Sequence, residues 1–173
     1  MKQNVWNREM LRALRSVYKG DWHGYHGVRH WYNVRYTASY LQQFDPNKDY
    51  LVSDLFALFH DAGRVTDGRD PGHGVRGVQI AYRFRNKLFK CTDLQFARLE
   101  YACIHHSKGL LSDDIVIGAC WNADRMDLPR VGIDFDSDNY MCESERMAFN
   151  DHIYGVAMQR AFALGHRIRN RTL

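Results

Sequence analysis

The stretch from Tyr50 to His60 carries Leu51, Val52, Leu55, Phe56, Leu58 and Phe59, which makes it apolar nearly all round when wound as a helix. A helix without a polar face has to be enclosed by other elements, so this segment reads as the buried centre of the fold. Its surroundings read as helices too, because apolar residues recur at helical spacing in almost every segment and strand alternation is almost absent. The expected class is all-α, a compact helical bundle. Helices are predicted from about Asn7 to Lys19, Val28 to Phe44, Tyr50 to His60, Val75 to Phe89, Thr92 to His106 and Ser112 to Asp127. Asp45-Pro46-Asn47 stops the second of these, since proline disfavours helix in the residue before it. Thr66 to Gly74, crowded with Asp, Gly and Pro, reads as a loop, as does Pro129 to Tyr140. A helical hairpin over 141–164, broken near Gly155, and a basic tail over 165–173 complete a single domain spanning 1–173.

Size and composition agree with one domain. The chain has 173 residues, 45% of them hydrophobic, which excludes disordered and fibrous classes. No apolar run approaches the roughly 18 to 20 residues of a membrane span, and Met1 to Val17 lacks the apolar core of a signal peptide. A cytoplasmic protein with no membrane partner is expected. Cys91, Cys103, Cys120 and Cys142 form no CxxC pair, so packed, reduced thiols are expected. The net charge of +4 is matched by Arg160, Arg167, Arg169 and Arg171 in the acid-free tail, which argues against a general nucleic-acid surface. Arginine outnumbers lysine 18 to 6, and its planar fork suits phosphate and carboxylate.

The chemistry starts at the end of the central helix. His60 and Asp61 are adjacent there, and burying an imidazole beside a carboxylate is costly unless something pairs with both. A divalent cation does so; a salt link to an arginine is the structural alternative. Asp124 sits among Cys120, Trp121, Ala123 and Leu128 and is read as facing inward, whereas Asp127, near the helix end, is read as solvated. Imidazole with carboxylate suits Mn, Fe, Ni, Co or Zn better than Ca. His30, His73, His105 and His106 are the other informative histidines. Adjacent helical residues point about 100° apart, so one of His105 and His106 enters such a site, and His106 is favoured.

These residues resemble the HD-domain superfamily of metal-dependent phosphohydrolases, whose pattern is an early His, an adjacent His-Asp and a distant Asp. His30 in His30-Trp31-Tyr32-Asn33-Val34, the doublet in Leu58-Phe59-His60-Asp61, and Asp124 in Ala123-Asp124-Arg125 match it over roughly residues 27–130. The resemblance implies an HD-like helical bundle with His30, His60, Asp61 and Asp124 as metal ligands. It also implies that His73 and His106 either hold a second metal or act in proton transfer. Arg64, three residues after Asp61, and Arg76, at a predicted helix start, are then candidates to hold substrate phosphate, and Arg76 is counted with His73 and His106 among the catalytic residues. The implied activity is hydrolysis of a phosphate mono- or diester, on a nucleotide or another small phosphorylated metabolite. Two alternatives stay open: an HD-like di-iron oxygenase using His30, His60, Asp61, His73, His106 and Asp124, and a non-catalytic nucleotide-binding regulatory module. His26 competes with His30 as first ligand, and the loop Trp22-His23-Gly24-Tyr25-His26-Gly27 is either a base-stacking platform or a hydrophobic cap. No Glu stands close behind His60-Asp61 and no Gly-Tyr-Pro signature is present, so neither the 5'-nucleotidase-like nor the cyclic-dinucleotide subfamily is indicated.

Overall fold

The computed structural model describes residues 3–43, 45–108 and 111–133. These form six α-helices and two short 3-10 turns, with no strand among the described residues and one isolated bridge between Arg85 and Phe89. The helices are α1 Arg8–Val17, α2 Val28–Leu41, α3 Tyr50–Phe59, α4 His73–Phe84, α5 Asp93–His105 and α6 Ile115–Met126. The 3-10 turns are His106–Lys108 and Leu128–Val131. The expected hairpin over 141–164 and the tail over 165–173 lie outside the described residues.

Local chemistry sets the helix starts. The side chains of Asn7, Asp49, Thr92 and Asp114 accept hydrogen bonds from the otherwise orphaned first-turn amides of α1, α3, α5 and α6. At α5 the bond is reciprocal, because Gln95 reaches back to the Thr92 amide. α3 is the hub: every residue from Val52 to Phe59 is buried, and the helix touches α2, α4, α5 and α6. Trp31, Phe56, Phe59, Leu99 and Trp121 fill the space between these elements. No helix among the described residues is long and apolar enough to cross a membrane.

Two departures from the expected boundaries matter for the site. α4 begins at His73 instead of Val75 and ends at Phe84 instead of Phe89. Its end is forced by Asn86, which takes a left-handed conformation (φ 65°) that no continuing helix accepts. Its start is held by close backbone approach. A Cβ on Gly74 would lie 2.1 Å from the Cys103 carbonyl oxygen on α5, and one on Gly77 would lie 2.0 Å from that of Phe59 on α3. Glycines three apart therefore let α4 pack onto α5 and α3 at once, bringing the ends of all three together. α6 begins at Ile115, after its Asp114 cap, and the residues following it form a 3-10 turn where a loop was expected.

Candidate metal centre

α2 supplies His30, the end of α3 supplies His60 and Asp61, the start of α4 supplies His73, the end of α5 supplies His106, and α6 supplies Asp124. The six side chains converge in two groups that could each hold a metal ion: His30, His60 and Asp124 in one, Asp61, His73 and His106 in the other. Asp61 joins them. Its Oδ2 lies 3.6 Å from both His30 Nε2 and His60 Nε2, while its Oδ1 lies 3.3 Å from His73 Nε2 and 3.7 Å from His106 Nε2. Asp124 Oδ1 is 3.1 Å from His30 Nε2 and 3.8 Å from His60 Nε2. All four rings are buried.

The outward nitrogens fix the tautomers. His60 Nδ1 donates to the Phe56 carbonyl (3.1 Å), His106 Nδ1 to the Cys103 carbonyl (2.7 Å), His73 Nδ1 to the Asp70 carbonyl and His30 Nδ1 to Asp127 Oδ2 (2.7 Å). Carbonyl and carboxylate oxygens only accept, so each ring carries its hydrogen on Nδ1 and turns the Nε2 lone pair inward. Yet His30 Nε2 and His60 Nε2 are 3.0 Å apart, and His73 Nε2 and His106 Nε2 are 2.9 Å apart. Two lone pairs at that distance repel unless an electrophile sits with them, either a proton shared by the pair or a metal cation.

The electrostatics agree. Burial holds His60 down to about 3, and burial together with the neighbouring His106 lowers His73. Burial opposes charge on His30 and His106 as well, and Arg130 adds to it at His30, but the carboxylates of Asp124 and Asp127 raise the first, and those of Asp61 and Asp124 raise the second. Each pair thus contains one ring that resists protonation and one that favours it. Burial works against the Asp61 carboxylate, yet His60, His106, His30 and Arg64 together hold it well below the usual range. Burial works against the Asp124 carboxylate too, and the neighbouring His30, His60 and His106 hold it low. A pocket with inward lone pairs and ionised carboxylates is matched to a divalent transition cation.

Two residues outside the expected set complete the arrangement. Asp127 is not solvated: it accepts from His30 Nδ1 and from Asn33 Nδ2 (3.0 Å), turning inward at the C-terminal cap of α6. It gives His30 the carboxylate backing that commonly orients metal-ligating imidazoles. Spacing held the signal, since Asn33 follows His30 by three residues and Asp127 follows Asp124 by three, one helical turn in each case. The Asn33 Oδ1 atom is buried without a partner.

The remaining candidates fall as follows. His26 bonds Asp67 through Nδ1 (2.9 Å) and belongs to neither group. His105 also belongs to neither and packs against Tyr101. Arg64 Nε donates to Asp61 Oδ1 at 2.8 Å, while Nη1 reaches the Thr66 and Gly68 carbonyls. Arg76 ties the Gly63 carbonyl to the Asp70 carboxylate, strapping the loop to α4. In the aromatic loop, Trp22 packs edge-on against Trp31 and Tyr18, and both Trp31 Nε1 and Tyr18 OH donate to the His26 carbonyl. Those contacts describe a cap over α2, with the His23 and Tyr25 rings turned out. Comparison of the chain with protein-family models, curated proteins and solved structures returned no match.

Proposed function

We propose that this chain is a metal-dependent phosphohydrolase of HD-domain type, acting on a phosphate mono- or diester of a nucleotide or another small phosphorylated metabolite. The observation that carries the reading is Asp61, whose two oxygens face two histidine pairs with every Nε2 turned inward. His30, His60, Asp124 and Asp61 would hold one Mn, Fe, Ni, Co or Zn ion, and His73 and His106 with Asp61 a second. A divalent cation there lowers the pKa of water and neutralises charge building on a phosphoryl oxygen. Charge balance favours an anionic substrate: one divalent cation offsets most of the charge of Asp61, Asp124 and Asp127, and Arg64 and Arg130, bonded to Asp61 and to the Asp127 carbonyl, tip the centre positive.

The chain's own groups do the positioning. Asp127 holds His30 in one tautomer, and three backbone carbonyls do so for His60, His73 and His106. Elemental analysis of gently purified protein, then a phosphate-release screen over nucleotides and phosphodiesters with each metal, tests the reading. Absence of turnover with every metal, alongside tight nucleotide binding, would favour a regulatory module instead. The convergence of all six candidate ligands supports a second reading, a di-iron oxygenase, which two irons per chain and an O₂-dependent product would favour.

A further inference from the structure

The two histidine pairs differ in what stands behind them. On the His30 and His60 side, two carboxylates face inward, Asp124 Oδ1 and Asp61 Oδ2, and a third, Asp127, backs His30. Asp127 is itself held by Asn33 Nδ2. On the His73 and His106 side the only inward carboxylate oxygen among the grouped residues is Asp61 Oδ1, and both rings are backed by neutral carbonyls, those of Asp70 and Cys103. That single oxygen is already engaged by Arg64 Nε at 2.8 Å, a contact shorter than its distance to either histidine. The Asp70 carboxylate, the acid nearest His73 in sequence, is taken up by Arg76 and the Val65 amide.

Building on the metal-centre reading above, we propose that the centre loads in two steps and that Arg64 is an internal cation that keeps the His73, His106 and Asp61 Oδ1 position the weaker one. A divalent ion arriving there meets a guanidinium on the oxygen it needs, and like charges sharing one carboxylate oxygen at short range repel. Arg64 has an alternative hold. Its Nη1 lies 3.5 Å from the Thr66 carbonyl and 3.3 Å from that of Gly68, so it can release Asp61 and stay tethered to the loop. The first position has no guanidinium on the Asp61 oxygen facing it, which is the other one; Arg130 stands behind His30, against Asp127, and not on an inward oxygen.

Calorimetric titration of chelator-stripped full-length protein with Mn²⁺, with bound metal counted by elemental analysis, tests this. Wild type is expected to take up two ions with affinities separated by about tenfold or more, the scale on which groups adjoining metal ligands act. Arg64→Gln should tighten the second event by about tenfold and leave the first within about threefold. Arg64→Lys, which keeps a positive charge, should preserve the gap. Asp127→Asn leaves Arg64 in place and should narrow the gap from the other side by weakening the first event. Equal shifts of both events in Arg64→Gln, or no shift, overturn the proposal, as does Arg64→Lys behaving like Arg64→Gln. Uptake of one ion by wild type and Arg64→Gln alike also overturns it while leaving the metal centre standing. No uptake at all sinks the metal centre itself.

Discussion

α2 and α3 bury polar side chains at both ends of their shared interface, and the two ends settle that burial in opposite ways. At the end away from the histidines, donors meet acceptors. Gln42 Nε2 donates to Ser53 Oγ (2.9 Å) and to the Ala38 carbonyl, while Gln42 Oε1 accepts from the Asp49 amide (2.8 Å). Arg35 Nε donates to Asp54 Oδ1 at 2.8 Å. At the histidine end acceptors face acceptors, four Nε2 atoms and the oxygens of Asp61 and Asp124, with Arg64 the one guanidinium bonded to an inward oxygen among the described residues. A closed polar network stabilises a fold by itself, whereas an open one is costly until something fills it. The contrast separates a structural cluster from a candidate binding site more sharply than burial does, since Gln42 and Ser53 are as buried as His30 and His60.

The strongest way to break this comparison is to measure metal-dependent stability at each end. A ligand present at about a thousand times its Kd stabilises by about 4 kcal/mol, which for a domain of this size is a rise in Tm of about 8 to 16 °C. Wild type should show that rise with Mn²⁺ and lose it with a chelator. Asp61→Ala, which removes the group shared by both positions, should lose most of it. If Asp61→Ala keeps the full metal-dependent rise, the histidine end is a structural cluster like the other.

A second probe acts on the packing that brings the ligands together. Gly74→Ala puts a methyl group 2.1 Å from a backbone carbonyl that cannot turn away, so α4 must shift from α5, carrying His73 away from His106. Overpacking of this kind costs about 1 to 3 kcal/mol. Denaturant unfolding should report that loss, with a weakened second metal event beside it. Gly68→Ala is the control, since the nearest atom to its added Cβ is Thr66 Oγ1 at 3.7 Å. Comparable losses in both variants would show that the close approach of α4 and α5 does not matter.

This packing also marks where the sequence stops being legible. The central helix and its terminal His60-Asp61 can be read locally, because an all-round apolar segment must be buried and takes its last residues with it. His73 reads as a loop residue, since Gly72 and Gly74 flank it and glycine signals loops. Here Gly74 serves contact with a helix about 30 residues away in sequence, a purpose no local window contains. Asp127 reads as solvated because it ends a helix, but its partner His30 lies 97 residues earlier on a facing helix. Asn86 is the opposite case. It is a residue type that tolerates left-handed backbone, and that local signal could have ended α4 at Phe84.

At the closed end, Ser53→Ala removes one of the two acceptors of Gln42 Nε2 and leaves the Ala38 carbonyl at 3.2 Å. The expected cost is about 1 kcal/mol, with both metal events unchanged. A change in metal affinity would mean that the two ends of the interface are coupled and that the comparison is drawn too sharply.

The smallest effect is expected at His26, the residue that competes with His30 for the role of first ligand. Its Nδ1 bonds Asp67, whose side chain is 51% exposed, so the contact is a solvent-open hydrogen bond at the low end of about 0.5 to 1.5 kcal/mol. His26→Ala should therefore cost little stability and leave two metal events, whereas His30→Ala should abolish the tighter one. Burial, outweighing the Asp67 bond, holds His26 below its ordinary value, so the folded state favours its neutral form. The stability linked to that preference is present above about pH 6.5, the unfolded value, and is lost as pH falls through the folded one. Chelator-treated His26→Ala should accordingly lose slightly less stability than wild type on acidification from neutral pH. If His26→Ala empties the tighter position, the loop before α2 supplies the first ligand, and the four-ring arrangement around Asp61 has to be redrawn.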